Sequence, residues 1–481
     1  MGSEMCIRDS NRIKQYDERQ IGGDRQKAQK ALELAQEILK KREDEWMKKC
    51  VEYEEILQKY PDLSPPISLD DIETENVQKS GLWHAKAYAA QRSALFRKAL
   101  ELHEAWLLAV SVSGGGFGSN LFVLSDFLSG NWDGDDEAKK ILWQSLFMIV
   151  PVVSCTFASF AHQFESLGSK SIGWLFIDEA GQAVPQAAVG ALLRAKRAVV
   201  IGDPLQIEPV FTVPKRLIAE FAKHSLYTAQ GAYSPDVVSA QVLADRANKY
   251  GANTSTQAEE NIWIGSPLRV HRRCIDPMFS VSNAIAYENR MIFGLSERLP
   301  KGDKPSYFGP SSWIDLSGKA SGLQAVPEQL DFVAKQIVTS YVQLGKLPDL
   351  FIISPFKIMK SELAKRLNKP YLWSSFNASK PKDLASWISA RIGTVHTFQG
   401  KERDTVIMVL GADQEKLSSA RWAASKPNLL NVAVTRAKWR IYIVGDRALW
   451  GKLPYFQNLA KSLPVVTPEK FEAAIARASI K

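Results

Sequence analysis

The chain has 481 residues, a length that allows two or three domains with sizeable cores. Hydrophobic residues make up 45% and charged residues 23% of it, as in an ordinary globular protein. The 61 basic and 52 acidic residues leave a formal net charge of +9, which suits a polyanionic partner but equally a merely basic cytosolic protein. No apolar run approaches the ~20 residues of a membrane helix, so we expect no membrane partner.

The cysteine and histidine positions argue against metal and disulfide scaffolds. The four cysteines lie far apart without a CxxC pair, and the six histidines are equally scattered. This spacing disfavours zinc sites and a disulfide framework and indicates a reducing compartment. The polar start of the chain does not resemble a signal peptide. We therefore expect a cytoplasmic protein.

The first part of the chain predicts long helices. Residues 1–10 share no periodic pattern with the rest, so we interpret them as a non-native leader. Apolar residues recur every three or four positions over residues 26–60 and again over 82–109. Pro61 ends the first helix. The pattern predicts an antiparallel helical arm within residues 11–112, for which plain packing is the simplest role.

Two further segments admit more than one interpretation. The glycine-rich stretch 113–118 invites a phosphate-binding interpretation, but no lysine follows it as in G-x-x-x-x-G-K-[ST], so we predict a hinge or loop. The apolar run 147–158 predicts a buried strand that ends in small hydroxyl residues. Ser154 and Thr156 at its exit can hydrogen-bond a phosphodiester backbone, or simply end a strand.

The strongest signal comes from two consecutive apolar runs, LFIDEAGQ at 175–182 and RAVVIGDPLQIEP at 197–209. Each run predicts a buried parallel strand and ends in acidic residues. Carboxylates at this end of a parallel strand lie where open α/β sheets bind ligands. Asp178 can therefore hold Mg²⁺, directly or through water, and Glu179 can orient and deprotonate an attacking water.

The exit loop of the second run adds polar groups to the same region. Asp203 and Gln206 can reach the phosphate that Asp178 and Glu179 would face. For either run alone, a plain strand with an acidic turn is an equal alternative. Their tandem order favours a ligand site.

Beyond these strands the chain repeats its alternation of strands and helices. Residues 214–260 predict a partly helical connector with a flexible loop near 250–255. A second α/β domain is predicted over 262–464, which leaves 113–261 as the remainder of the first domain and 465–481 as a C-terminal tail. The predicted strands of the second domain are 350–354, 391–395, 405–410 and 440–444.

Two segments of the second domain carry basic residues next to predicted strands. Residues 267–277 contain three arginines, which can pair with phosphate oxygens or form a solvated basic turn. Residues 352–357 predict a strand that stops at a proline, shortly before Lys357.

Two later segments add candidate nucleotide contacts. In the loop after a strand at 393, Gly400 allows close backbone approach and the carboxylate of Glu402 can bind a ribose hydroxyl. His396 suits a structural or backbone-contact role better than that of a catalytic base. Arg436 lies on a predicted helix just before a buried strand. Such a rigid mount suits an arginine finger, which stabilises the charge that builds up in phosphoryl transfer.

The order of these segments resembles that of the superfamily 1 DNA/RNA helicases, which are AAA-type P-loop NTPases, and in particular their Upf-like branch. DEAx followed by GDxxQ resembles motifs II and III. Residues 268–275 resemble motif IV, with the family form L-x-x-x-x-R, from which the chain departs with His271, Arg272 and Arg273. Residues 394–402 resemble motif V, with His396 in place of aspartate. Residues 432–438 are a near-perfect match to motif VI, V-A-x-T-R-A-K. The resemblance covers about residues 150–446.

This resemblance implies an α/β fold of two RecA-like P-loop NTPase domains with parallel sheets, plus the N-terminal helical arm as an insertion in the first domain that contacts nucleic acid. ATP would bind in the cleft between the domains, and its hydrolysis would move single-stranded DNA or RNA. The implied catalytic residues are Asp178 with Mg²⁺, Glu179 as the base, Gln206 as the γ-phosphate sensor, and Arg272 and Arg436 from the second domain. The implied nucleotide contacts are Asp203, Gln399, Gly400 and Glu402. The implied nucleic-acid contacts are Ser154, Thr156, Lys357, Thr394 and His396.

One departure from the family pattern concerns the phosphate-binding loop. The family's motif I, G-x-x-x-x-G-K-[ST], occurs nowhere in the 481 residues. We therefore expect a gene product truncated before the P-loop, with weak ATP binding and little turnover, because the phosphates lose their main cradle. The alternative is a catalytically silent nucleic-acid-binding or scaffolding relic. A kinase or other small-molecule P-loop enzyme fits poorly, since Arg436 and a second motor-like domain would be unexplained.

Overall fold

The computed structural model describes residues 2–60, 70–80, 86–112, 116–210, 213–225, 232–254, 262–295 and 308–478. The chain divides into two compact units, Met1–Ser113 and Gly114–Lys481. None of the helices in the described ranges has the length and apolarity that crossing a bilayer requires.

The first unit is helical, as the periodicity predicts. Its helices are α1 (Gly2–Lys59), α2 (Glu75–Ser80) and α3 (Lys86–Val112). Helix α1 begins at Gly2, so residues predicted to form a separate leader are part of the helix. The predicted proline-rich turn at 61–66 lies outside the described residues. The apolar stripes do not bury each other, because Leu39 is 58% and Leu95 71% exposed, which contradicts a packed antiparallel pair.

The second unit begins with a lobe that we define as the first lobe, residues 114–265. Its helices are α4 (Gly116–Leu128), α5 (Asp136–Ile149), α6 (Phe157–Gln163), α7 (Pro185–Arg194), α8 (Lys215–Ser225) and α9 (Ala240–Ala247). Its strands are β1 (Leu175–Ile177), β2 (Ala198–Val200), β3 (Gly251–Thr254) and β4 (Ile262–Gly265). Strands β1 and β2 pair in parallel, Leu175 with Ala198, which confirms the predicted strands and their direction. They are only partly buried, since Phe176 is 64% exposed.

The strand predicted over 147–158 is wrong. Helix α5 runs to Ile149, residues 151–156 form no strand, and α6 begins at Phe157. Pro151 has no N–H to donate to a ladder, and Val152 is 78% exposed instead of buried. Thr156 instead caps α6 by accepting a hydrogen bond from Ser159 N at 3.3 Å, so the hydroxyl residues mark a helix start.

Two loop predictions also need correction. Helix α4 begins at Gly116, so the second half of the predicted glycine hinge is helical, and residues 113–115 lie outside the described part. The predicted flexible loop near 250–255 contains β3, which pairs antiparallel with β4. This polar stretch forms a strand because β4 pairs with it, and no local pattern in the sequence predicts that partner. The pairing also joins residues 262–265 to the first lobe, beyond the predicted boundary at 261.

The second lobe, residues 266–478, is built on the larger sheet. Its strands are β5 (Val270–His271), β6 (Ile292–Phe293), β7 (Ser312–Asp315), β8 (Phe351–Ser354), β9 (Ile392–Thr394), β10 (Arg403–Val409), β11 (Ala437–Gly445) and β12 (Val465–Val466). Its helices are α10 (Met278–Ala286), α11 (Pro327–Leu344), α12 (Lys357–Leu367), α13 (Pro370–Ser374), α14 (Leu384–Arg391), α15 (Leu417–Ala423), α16 (Asn428–Thr435), α17 (Arg447–Trp450), α18 (Phe456–Ser462) and α19 (Pro468–Ala478). Six strands pair in parallel in the order β12-β7-β11-β10-β8-β9.

This sheet is buried because its central strands are continuous apolar runs. Ile353 of β8, Val406 of β10 and Ile443 of β11 are all 0% exposed, as expected for parallel strands covered on both faces. The four strands predicted here are confirmed, whereas β7 and β12 carry no clear pattern in the sequence. Strand β12 and Phe471 of α19 belong to the sheet and core, so the lobe extends past residue 464 into the predicted tail. Both lobes therefore have an α/β fold with a parallel sheet, as predicted, and the first lobe adds the antiparallel pair β3–β4.

Candidate functional site

The end of β1 presents the two predicted acidic residues. Asp178 is exposed, and its Oδ1 accepts a hydrogen bond from Glu179 N at 2.9 Å. Glu179 has a φ of 52°, a left-handed conformation that is strained for a side chain of this size and is typical of functional turns. An outward carboxylate at the carboxyl end of a parallel strand is what Mg²⁺ needs when it also binds phosphate and water.

The second lobe meets Glu179 directly. Gln399 Nε2 donates to Glu179 Oε2 at 3.2 Å, and Gln182 Nε2 from the first lobe lies 3.4 Å from the same oxygen. Gly400 has a φ of 74°, which favours glycine, and a Cβ there would lie 3.7 Å from Glu179 Oε1. The motif II acid and the motif V loop thus form one cluster across the two lobes.

Arg436 follows α16 and is 0% exposed. Its guanidinium donates to Val432 O at 3.1 Å, to Lys401 O at 3.2 Å and to Thr435 Oγ1 at 3.3 Å. Burial, and then the charge of Arg273, lower the pKa of Arg436 to about 10, while Glu179 and Glu402 oppose that shift. Arg436 is therefore still charged at neutral pH, and it lies within electrostatic range of Glu179, as the sequence predicts.

Arg273 and Lys438 flank Glu402, the residue that was predicted to bind the ribose. Arg273 Nε lies 3.3 Å from Glu402 Oε2, and Lys438 Nζ lies 3.0 Å from Glu402 Oε1. Arg272, the residue that we predicted, has its Nη1 3.4 Å from Gly294 O. The structure thus brings Arg273 to the carboxylates, which the sequence analysis missed. Counting the form L-x-x-x-x-R from Leu268 gives Arg273, so the signal was present.

Asp203 and Gln206 form a network that crosses the lobes. Asp203 Oδ1 accepts from Leu205 N at 2.9 Å, and its Oδ2 accepts from Gln206 Nε2 at 3.1 Å and from the hydroxyl of Tyr287. Burial raises the pKa of Asp203, and these hydrogen bonds oppose that increase. Its carboxyl group therefore contacts Tyr287 of the second lobe and groups of its own loop, and Asp203 also lines the cavity described below.

Asn431 extends this network inside the second lobe. Its Nδ2 donates to Tyr287 Oη at 2.9 Å and to Leu205 O at 3.0 Å, while Ser282 Oγ donates to Asn431 Oδ1 at 2.6 Å. Asn431 is 0% exposed. Asn431 directly precedes motif VI, residues 432–438, and neither Asn431 nor Tyr287 was predicted as a site residue.

A cavity of about 630 Å³ opens between these groups, a size in the range of small-molecule sites. Its lining includes Arg272, Arg273 and Lys438, whose donors suit phosphate oxygens. Gln206 also lines it, and Gln206 Oε1 is buried without a hydrogen-bond partner among the described residues. Gln399 Oε1 is also buried without a hydrogen-bond partner among the described residues. Unsatisfied acceptors beside basic groups fit a site for a phosphorylated ligand and a water.

Three of the predicted nucleic-acid contacts lie at one edge of the large sheet. Thr394 ends β9 and pairs with Ser354 at the end of β8, and Lys357 begins α12 just beyond. Burial, and then the charge of Lys357, lower the pKa of His396, so these two side chains are neighbours. Thr394 Oγ1 lies 3.1 Å from Thr397 Oγ1, a local capping contact.

The other two predicted contacts lie on the first lobe. Ser154 and Thr156 are exposed in the segment before α6, and Thr156 is the N-cap described above. No structural contact tests their role, so it stays a prediction.

Comparison with known proteins follows this division into lobes. Family models described as AAA domains match residues 125–213 and 256–448, so together they cover more than half of the chain. Regulator of nonsense transcripts 1 of Dictyostelium discoideum is 23% identical over 297 residues, which are 59% of this chain and 19% of that protein. The ATP-dependent helicase upf1 of Schizosaccharomyces pombe is 24% identical over 287 residues, which are 57% of this chain and 27% of that protein.

The chain belongs to the Upf1-like superfamily 1 helicases. This Upf1-like chain spans about a fifth to a quarter of the length of the two relatives. Among solved structures it matches an Arterivirus nonstructural protein 10 (helicase) in complex with DNA, at 12% identity and a TM-score of 0.27, over 58% of this chain and 41% of that one. The fold assignment rests instead on the parallel sheets and on the family match.

Proposed function

We propose that this Upf1-like chain is the motor core of an ATP-dependent helicase or translocase that moves along single-stranded DNA or RNA. The observation that carries the proposal is the hydrogen bond between Gln399 Nε2 and Glu179 Oε2 at 3.2 Å, which joins the two lobes. The charge of the same Glu179 acts on the buried Arg436. Because these groups come from different lobes, a nucleotide between them can couple its hydrolysis to a change in the angle of the lobes. The Schizosaccharomyces pombe relative is an ATP-dependent helicase, which supports this proposal.

The residues present suit ATP with Mg²⁺. Asp178 would hold the metal, which when bound neutralises charge on the β- and γ-phosphates. Glu179, held by Gln182 and Gln399, is placed to accept a proton from a water. Gln206 offers its unpartnered Oε1 to the same water.

Basic groups of the second lobe would balance the phosphate charge. Lys438 and Arg273 form ion pairs with Glu402, at 3.0 Å and 3.3 Å, and the buried Arg436 adds a third cation. Arg272 lines the same cavity and stays a second candidate for a phosphate contact. Gly400 allows the motif V loop to approach Glu179 closely.

Nucleic acid would cross the tops of both lobes. Lys357, Thr394 and His396 would contact it on the second lobe, and Ser154 and Thr156 on the first. Contacts of this kind address the sugar–phosphate backbone and give little sequence specificity, so the proposal covers DNA and RNA alike. The cytoplasmic location stays a prediction.

A catalytically silent nucleic-acid-binding protein is the second candidate. It is favoured by one observation, the absence of G-x-x-x-x-G-K-[ST] from the 481 residues. Without that loop's backbone donors and lysine, the β- and γ-phosphates have fewer ligands.

Release of radiolabelled phosphate, with and without single-stranded DNA or RNA, separates the two candidates. We would measure it on this chain and on its Glu179→Gln variant. A motor predicts strand-stimulated release that is about 10²- to 10⁴-fold lower in Glu179→Gln. Strand binding without ATP-dependent release would favour the silent binder.

A further inference from the structure

A short segment of the second lobe carries much of the excess positive charge of the chain. Residues 357–391, which include α12, α13 and α14, contain eight basic and two acidic residues and thus have a net charge of +6. The whole chain of 481 residues has a net charge of +9. A local excess of this kind is the electrostatic footprint expected for a polyanionic partner.

Ion pairs neutralise only part of this charge. Glu362 pairs with Lys365 at 2.7 Å and with Arg366 at 3.2 Å, and Asp349 pairs with Arg391 at 2.9 Å. The remaining basic residues of the segment, which form no ion pair with any described residue, are Lys357, Lys360, Lys369, Lys380 and Lys382. Their ammonium groups therefore keep their full charge for the phosphate oxygens of a ligand.

Two of these lysines lie along one side of α12. Lys357, Lys360, Ala364 and Asn368 recur at steps of three or four residues, so they form a stripe from the start of the helix to its end. Lys357 and Asn368 are exposed, and Lys360 is half-buried. The 11 residues of α12 make the stripe about 16 Å long.

The end of this stripe meets two further lysines and an aromatic ring. Lys380 Nζ donates to Asn368 Oδ1 at 3.2 Å, so the loop after α13 returns to the end of α12. Lys369 Nζ lies 5.7 Å from the centroid of the Tyr371 ring, and Tyr371 is 66% exposed. An exposed ring beside cations is a surface on which a base can stack. We define the lysine track as Lys357, Lys360, Lys369 and Lys380.

The start of the lysine track lies at the carboxyl edge of the large sheet. Lys357 begins α12 shortly after β8, and Ser354 at the end of β8 pairs with Thr394 at the end of β9. Lys357 and Thr394 are among the nucleic-acid contacts proposed above. The track is therefore continuous with the surface that a strand would cross on the second lobe.

We propose that single-stranded DNA or RNA continues from this edge along α12 as far as the ring of Tyr371. Its phosphates contact the lysine track, and one base stacks on Tyr371. The inference rests on the proposed function, since the strand reaches α12 by crossing the second lobe. With phosphates about 3.4 Å or more apart, a track of about 16 Å holds about three to five nucleotides. Lysines contact the backbone, so this binding has little sequence specificity.

A single strand fits this surface better than a duplex or an acidic protein. All three would be attracted to a row of lysines. A duplex keeps its bases stacked on each other, so it has no base to place on Tyr371. The carboxylates of an acidic protein likewise offer no flat group to the ring. Only an unpaired base uses both the charge and the exposed ring.

Two matched variants of the full 481-residue chain test the inference. The track variant carries Lys360→Gln, Lys369→Gln and Lys380→Gln. The control variant loses the same charge at exposed positions outside the segment, with Lys452→Gln, Lys461→Gln and Lys470→Gln. Surface substitutions of this kind change stability little, so both variants should fold. Fluorescence anisotropy measures the binding of oligothymidylates of about 6 to about 20 nucleotides at several salt concentrations.

The track variant should bind the longest strands about tenfold more weakly than the control variant. The slope of log K against log salt should fall by about two, since each lost phosphate contact with a single strand removes about 0.7. The loss of affinity should increase with strand length over about three to five nucleotides and then level off. Tyr371→Ala should weaken long strands about fivefold, and Tyr371→Phe should stay within about twofold of the unsubstituted chain.

Four results would overturn the inference. Equal binding by the track and control variants at every length would do so, and normal strand-stimulated phosphate release would then leave the proposed function standing. A loss that is the same at every length would assign the lysines to general attraction. Tighter binding of a duplex that depends on the same lysines would assign the surface to the duplex. Failure of the unsubstituted chain to bind any strand would overturn this inference and the proposed function together.

Discussion

The parallel sheets of the two lobes differ in strand length and in burial. In the second lobe, β10 and β11 are seven and nine residues long, and Ile443 is fully buried. In the first lobe, β1 and β2 have three residues each, and Phe176 is 64% exposed. The candidate catalytic acids therefore follow a short, partly exposed sheet, whereas Arg436 lies in the buried core of the second lobe.

This difference teaches that the second lobe holds much of the first lobe's site in place. Gln399 contacts Glu179, Tyr287 contacts Asp203, and Asn431 contacts Leu205 O. The position of the acids then depends on contacts between lobes more than on their own sheet. The following changes break or sharpen this comparison, in order of decreasing effect.

Arg436→Lys should have the largest effect. Lysine cannot reproduce the three hydrogen bonds of the buried guanidinium, and loss of an arginine finger lowers phosphoryl transfer by about 10³-fold or more. The measurement is strand-stimulated phosphate release by this chain with and without the substitution. Arg421→Lys, at an exposed position of α15, is the control. Activity of Arg436→Lys within tenfold of the unsubstituted protein would contradict the assigned role.

Ile443→Ala should destabilise the protein far more than Phe176→Ala. A large buried side chain in a packed core costs about 2–5 kcal/mol when it is truncated, whereas an exposed one costs about 0.5 kcal/mol. Urea unfolding followed by far-ultraviolet circular dichroism gives both free energies. Equal values would show that the first sheet is as well covered as the second.

Acidification should weaken the second lobe through His271. Burial lowers its pKa to about 4, and its Nε2 accepts a hydrogen bond from Cys274 N at 3.0 Å, which requires the neutral ring. Because the folded-state pKa lies below the unfolded value of about 6.5, the contribution is complete above pH 6.5 and is lost as the pH falls toward 4. The loss should be at most about 3 kcal/mol relative to His271→Gln over this range, at about 1.4 kcal/mol per pKa unit. A parallel pH dependence of unfolding in both proteins would exclude His271 as the source.

Tyr287→Phe should have the smallest effect of the four. It removes the hydroxyl that donates to Asp203 and accepts from Asn431, and a buried group left unpaired costs about 1–3 kcal/mol. Denaturant unfolding measures this cost. Tyr371→Phe, whose ring is 66% exposed, should change stability by less than about 0.5 kcal/mol. Indistinguishable values for the two variants would deny the hydroxyl network a role in joining the lobes.

Much of this arrangement was readable from local patterns. The acidic ends of β1 and β2 and four strands of the large sheet follow from apolar runs, and motif order predicts that Glu179 and Arg436 lie within electrostatic range of each other. These features are set by residues close in sequence, or by the rule that parallel strands share one carboxyl edge.

The remainder depends on partners that are distant in sequence. Residues 151–156 have strand composition but no neighbouring strand in the described chain, so composition alone misleads. The bond between Asp203 and Tyr287 joins positions 84 apart, and that between Tyr287 and Asn431 joins positions 144 apart. No periodicity records such pairs. Arg272 and Arg273 are chemically identical, so only the spacing from Leu268 separates them in the sequence, and Arg273 is the one that meets Glu402.

The loop after β2 limits where the coding sequence can be divided into parts that fold separately. Leu205 and Ile207, only 4% and 6% exposed, belong to the hydrophobic core of the second lobe although they precede it by some sixty residues. Splitting the coding sequence near residue 262 would remove these two apolar side chains from the core of the second lobe. It would leave them exposed to water on the fragment that carries the first lobe. A chimera that exchanges one lobe should therefore fold only if the donor brings a loop of matching shape.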